Sequence, residues 1–153
     1  MMVAWAPGLL LALLGAAPAG SPHFDVSASF VAPAKRGGDA SVAVTFGARN
    51  PDVHVNEDPA PRLKLDPAQQ VLVDRQPPAP AQAPAPAKPP AFDPDNPRYL
   101  DLEHPVLFPV GIAAGAAKGA HRVKATVNYY YCSKREGWCR KGTAEVEINV
   151  STR

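Results

Sequence analysis

The sequence is poor in the residues that most often carry chemistry. Of 153 residues, two are cysteine, two methionine and four histidine, and aromatic side chains make up 7%. Two cysteines permit one intramolecular pairing and exclude a multi-disulfide framework. His23, His54, His104 and His121 stand singly, with no spacing that puts two on one strand face. Without a His/Cys cluster no metal site is expected. His54 beside Asn56 reads as a solvated strand-end residue rather than a base. No phosphate-cradling loop and no nucleophilic serine in a recognisable turn occurs, so no cofactor is expected. Neither sign of charge dominates, since 16 basic and 14 acidic side chains leave a net +2. With no basic stripe carrying interleaved aromatics, nucleic acid is excluded as an expected partner.

Long apolar runs are also missing. Leu9 to Leu14 is a compact one, set inside Met1 to Ala19, which holds no charged side chain and ends in Ala17-Pro18-Ala19. That pattern predicts a secretory signal peptide over 1–19, cut near Ala19. A spanning helix needs about 20 apolar residues, so no membrane span is expected after cleavage. The expected mature chain, 20–153, is periplasmic or secreted, and its 134 residues suffice for one domain with a real core. Export also permits a disulfide between the two cysteines.

What is present is alternation. Phe24, Val26, Ala28 and Phe30 share one parity, with Asp25, Ser27 and Ser29 on the other. After a turn at Lys35 to Asp39, the pattern resumes with Val42, Val44 and Phe46, so the two runs predict a hairpin. Short candidates follow at Val53–Asn56, Leu63–Leu65 and Val71–Val73, and another apolar stretch, broken by Pro105 and Pro109, at Tyr99–Val110. A Gly/Ala turn is expected from Gly111 to Gly119. Next come the two clearest strands. Val123, Ala125, Val127, Tyr129 and Tyr131 alternate with polar residues, as do Ala144, Val146, Ile148 and Val150. About seven such strands predict an all-β, two-sheet sandwich, although an open barrel reads similarly.

Proline, at 19 residues, is the one abundant special residue, and it concentrates between Gln76 and Pro97 together with alanine. Such a stretch favours extended polyproline conformations and cannot build a core. Neither flank holds enough strands to stand alone, so residues 76–97 are expected to be a surface loop inserted in one domain.

The two best strands are joined by Cys132-Ser133-Lys134-Arg135-Glu136-Gly137-Trp138-Cys139. A hairpin places residues near its mouth opposite one another, within reach of a disulfide. As a staple, so short a loop contributes only roughly 2–3 kcal/mol by chain entropy. Lys134, Arg135, Arg140 and Lys141 surround the pair against Glu136 alone, and a cationic setting favours the reactive thiolate. Trp138 either shields the sulfurs, docks a partner or packs over the sheet edge.

The hairpin Tyr129-Tyr130-Tyr131-Cys132 to Cys139, and upstream His54-Val55-Asn56 followed by Pro59 and Pro61, resemble the amino-terminal periplasmic domain of the thiol:disulfide interchange protein DsbD. The resemblance implies an immunoglobulin-like sandwich whose cysteine pair passes reducing equivalents to other exported thiol/disulfide proteins, thioredoxin-like ones among them. It also implies that Cys139 forms mixed disulfides and Cys132 resolves them. The spacing of six residues between the cysteines is one longer than in the best-known members, and Arg140-Lys141 stands where they carry an aromatic-proline pair. A domain of this kind acting alone needs a separate electron donor. The competing expectation is a non-catalytic, protein-binding sandwich with a structural disulfide.

Overall fold

Alternating apolar residues can be buried only if two sheets close on each other, and that is how the chain folds. The computed structural model describes residues 21–33, 39–77 and 98–153. The expected signal peptide, most of the turn at Lys35 to Asp39 and nearly all of the proline-rich segment lie outside the described residues. Eight strands occur among those described, and no helix. They are β1 (Phe24–Val31), β2 (Ala40–Ala48), β3 (Val53–Val55), β4 (Arg62–Leu65), β5 (Leu72–Asp74), β6 (Val106–Ile112), β7 (Gly119–Ser133) and β8 (Trp138–Thr152).

One antiparallel sheet has the order β1-β2-β6-β5. The other is organised by β7, which pairs with β8 along all 15 residues of each. On its opposite side β7 meets β3 near Cys132 and β4 around Ala125 to Asn128. The expected first hairpin is present, with Val26 opposite Phe46 and Ala28 opposite Val44. Its inward parity and that of β7 and β8 form a single core including Phe24, Phe46, Val127, Tyr129, Ile148 and Val150. The protein is thus an all-β sandwich of two packed antiparallel sheets.

Two expectations about boundaries change. The stretch from Tyr99 to Val110 becomes strand only from Val106, and β6 runs through Pro109 to Ile112, so the turn starts later than Gly111. Proline is tolerated there because a strand residue's nitrogen and carbonyl face the same neighbour. The Pro109 carbonyl accepts from the Arg75 N–H just past the β5 ladder, so the missing donor falls where pairing has already ended.

Tyr129 is the largest wholly buried side chain, 1% exposed, with its ring edge-on to Phe24 and Phe46. Its hydroxyl is buried with no hydrogen-bond partner in place among the described residues. Burial pushes the phenol above its ordinary range, and Ser21 opposes that shift too weakly to reverse it. A buried hydroxyl without a partner contributes nothing to offset its desolvation. Tyr129→Phe should therefore leave stability unchanged or raise it by up to about 1 kcal/mol in urea unfolding. A loss above that size would mean that Ser21 does hold the hydroxyl.

Candidate functional site

The cysteine hairpin turns through Lys134 to Gly137. Gly137 has φ 68°, a left-handed conformation that favours glycine, and its N–H donates to the Ser133 carbonyl at 2.9 Å. The Ser133 hydroxyl accepts from the Glu136 N–H at 3.1 Å. That closure sets the register, with Ser133 opposite Trp138 and Cys132 opposite Cys139. Directly opposed residues point to the same face, and the two cysteines, 4.0 Å apart at Cα, are joined by a disulfide. Tyr129 and Tyr131 face the core, so Cys132, of the other parity, carries the bond on the outer face of its sheet.

The two sulfurs are differently placed. Cys132 is 3% exposed and lies on the strand flanked by both neighbours, whereas Cys139 is only partly buried and lies on β8. Across from Cys132 on β3 stands His54. Asn56, 6% exposed, brings its Oδ1 to 3.0 Å from the Cys132 sulfur. The Asn56 N–H donates to the Tyr130 carbonyl at 2.8 Å, which fixes the amide beside β7. Tyr99 bridges to Asn56 and stacks on His54 with ring centres 4.8 Å apart. The Tyr99 segment is held in turn by Glu57 N–H donating to the Arg98 carbonyl and Leu100 N–H donating to that of Val55, both at 2.9 Å.

The basic cluster divides on folding. Arg140 lies across from Tyr131 on the parity opposite the sulfurs, and its guanidinium covers the Trp138 ring at 4.3 Å. Arg135 pairs with Asp52 at 3.6 Å. Lys141, opposite Tyr130, shares the sulfur face, and the Lys134 ammonium stands 5.0 Å from the centre of the Tyr99 ring. Two of the four cations, Lys134 and Lys141, thus remain on the side of the sulfurs.

Trp138 also resolves. It shares the Tyr131 parity, packs against Tyr131 and His23, and donates its indole N–H to Glu136. It closes the end of the core and does not shield the sulfurs. Its adjacency to Cys139 in a strand already carried that answer, since neighbouring side chains point to opposite faces.

His54 is not a solvated strand end. Its position against Cys132 and under Tyr99 lowers its pKa from the ordinary value of 6.5, first through burial and then through Lys134, with Asp52 opposing. The unfolded chain therefore binds more protons here than the folded one between the lowered value and about 6.5. Stability from this residue rises with pH across that window and falls on acidification through it. His54→Gln should flatten the rise of the urea midpoint as pH climbs from the lowered value through about 6.5. An unchanged slope would assign the dependence to another group.

Cys132 and Cys139, the site residues expected from the sequence, are brought together. For Asn56, which meets Cys132, the only signal of that role in the sequence was the His54-Val55-Asn56 resemblance, and Tyr99, which stacks on His54 and bridges to Asn56, carried none. Among the described residues no group of His, Cys, Asp or Glu could hold a metal ion, and no helix is long and apolar enough to cross a membrane. No family model, no curated protein and no solved structure matches the chain.

Proposed function

We propose that the protein is an exported thiol–disulfide exchange module, with Cys132 and Cys139 as its redox pair. The observation that carries this reading is the placement of the disulfide. It sits on the outer face of the sheet, outside the contiguous apolar cluster, with Cys132 buried and Cys139 only partly buried. The register of two 15-residue strands already holds the hairpin, and the bond adds only about 2.5 kcal/mol by chain entropy. A domain whose stability lies in the usual range of roughly 5–15 kcal/mol can lose that and stay folded. Opening and closing the bond is then compatible with an intact sandwich.

The exchange is balanced without a cofactor. The Cys139 thiolate attacks a partner disulfide, forming one S–S bond while the partner's second sulfur leaves as a thiolate. Cys132 then gives up its proton and attacks the Cys139 sulfur, restoring the internal disulfide and releasing the reduced partner. A separate exported dithiol must reduce the pair again. Periplasmic or secreted localisation, thioredoxin-like partners, and kinship with the immunoglobulin-like amino-terminal domain of DsbD belong to the same proposal. Their support is the hairpin sequence, the leading apolar stretch and the sandwich that carries them.

The test is the reduction potential of the Cys132–Cys139 bond against glutathione or dithiothreitol buffers. Exchange requires a value clearly less negative than about −300 mV. A more negative value would sink the proposal and leave a protein-binding sandwich with a structural staple.

A further inference from the structure

We infer that Asn56 sets the division of labour between the two sulfurs, by holding the proton on Cys132 once the disulfide is reduced. The inference deepens the exchange reading and rests on it for its use, but the hydrogen bond it names can be measured independently.

In the disulfide the Cys132 sulfur carries no hydrogen, so its 3.0 Å approach to Asn56 Oδ1 is a contact between two lone-pair atoms. Reduction adds two electrons and two protons to the pair. The Cys132 thiol then has an acceptor already in place, because Asn56 is buried and its backbone N–H is bonded to Tyr130. An S–H donating to a carbonyl oxygen is favoured over a thiolate facing that oxygen. The other groups facing Cys132 are His54 from β3, Cys139 and Lys141 from β8, Tyr130 on β7, Tyr99 beyond β3, and Lys134 in the turn. Asn56 places a carbonyl oxygen 3.0 Å from the Cys132 sulfur, so Cys132 keeps its proton and Cys139, partly exposed, supplies the thiolate. After Cys139 has captured a partner, the same bond delays Cys132 until its proton departs, so Asn56 also governs resolution.

The experiment uses the reduced Cys139→Ser protein, in which Cys132 is the sole thiol, and follows thiolate absorbance against pH. Asn56→Leu keeps the site filled and removes the carbonyl. The expected result is a fall of the Cys132 pKa by about one unit, a tenfold larger thiolate fraction below it. No shift would overturn the inference by reducing Asn56 to packing. A rise would also overturn it, since the carbonyl would then matter less to the Cys132 proton than the polarity the amide lends the site. Should Asn56→Leu fail to fold, the infrared S–H stretch of the Cys139→Ser protein decides. A band lowered in frequency relative to a solvated thiol supports the bond, and a free-thiol band removes it. A strongly negative reduction potential would defeat the exchange proposal while leaving the titration outcome standing, so the two failures are distinguishable.

Discussion

Cys132→Ser should turn the protein into a trap, and Cys139→Ser should not. In the first variant Cys139, a partly buried residue on β8, survives without the second thiol, so a mixed disulfide persists. In the second the survivor is Cys132, a residue 3% exposed, flanked by β3 and with its sulfur against Asn56. Reaction with a small aromatic disulfide should be at least about tenfold slower for Cys139→Ser than for Cys132→Ser near neutral pH. Incubation with oxidised exported proteins, followed by a non-reducing gel, should show stable adducts for Cys132→Ser alone. Equal rates and equal trapping would remove the assignment of roles. Absence of trapping by either variant, together with a potential below about −300 mV, would favour the staple.

The largest stability effect should come from Gly142. It lies opposite Tyr129 on β8, and a Cβ added there would stand 2.5 Å from Tyr129 Cε2. The ring has nowhere to retreat, because Phe24, Phe46 and Tyr131 close around it with centroids 6.0, 5.0 and 5.8 Å away. Gly142→Ala should therefore destabilise the fold by about 3 kcal/mol, the upper part of the overpacking range. For a domain of this size that lowers the melting temperature by more than about 10 °C. Shrinking the ring tests the mechanism. Combined with Tyr129→Leu, the alanine should cost at least about 1 kcal/mol less than it does alone, whereas strict additivity would place the strain elsewhere.

The parts of this fold that were readable in the sequence are those fixed by local pattern. Parity along Phe24–Phe30, Val123–Tyr131 and Ala144–Val150 named the inward faces, and the short Cys132–Cys139 loop brought the two sulfurs opposite each other. What could not be read depends on long-range placement. Nothing near Val106 says that β6 inserts between β2 and β5, and nothing near Asn56 says that its amide reaches a sulfur 76 residues away. His54 looked solvated because Tyr99, the ring that covers it, arrives from beyond the proline-rich segment. Charge misled in a simpler way. Four cations adjacent in sequence point to different faces once strand and turn are formed, and Arg140 leaves the sulfurs for Trp138.

The two sulfurs ride on elements that open at different free energies. From Lys124 to Ser133, β7 is flanked on both sides by hydrogen-bonded neighbours, while among the described residues β8 is paired only with β7. Amide exchange from the middle of such a strand requires opening of the whole sandwich, whereas the end of an edge strand exchanges through local fraying. Once the bond is reduced, Cys132 is still held from both sides by hydrogen-bonded strands, whereas Cys139 is held by the β7 ladder on one side and by its neighbour Trp138 against Tyr131 and His23. Under the exchange proposal, the sulfur offered to other proteins is the one on the less firmly held strand.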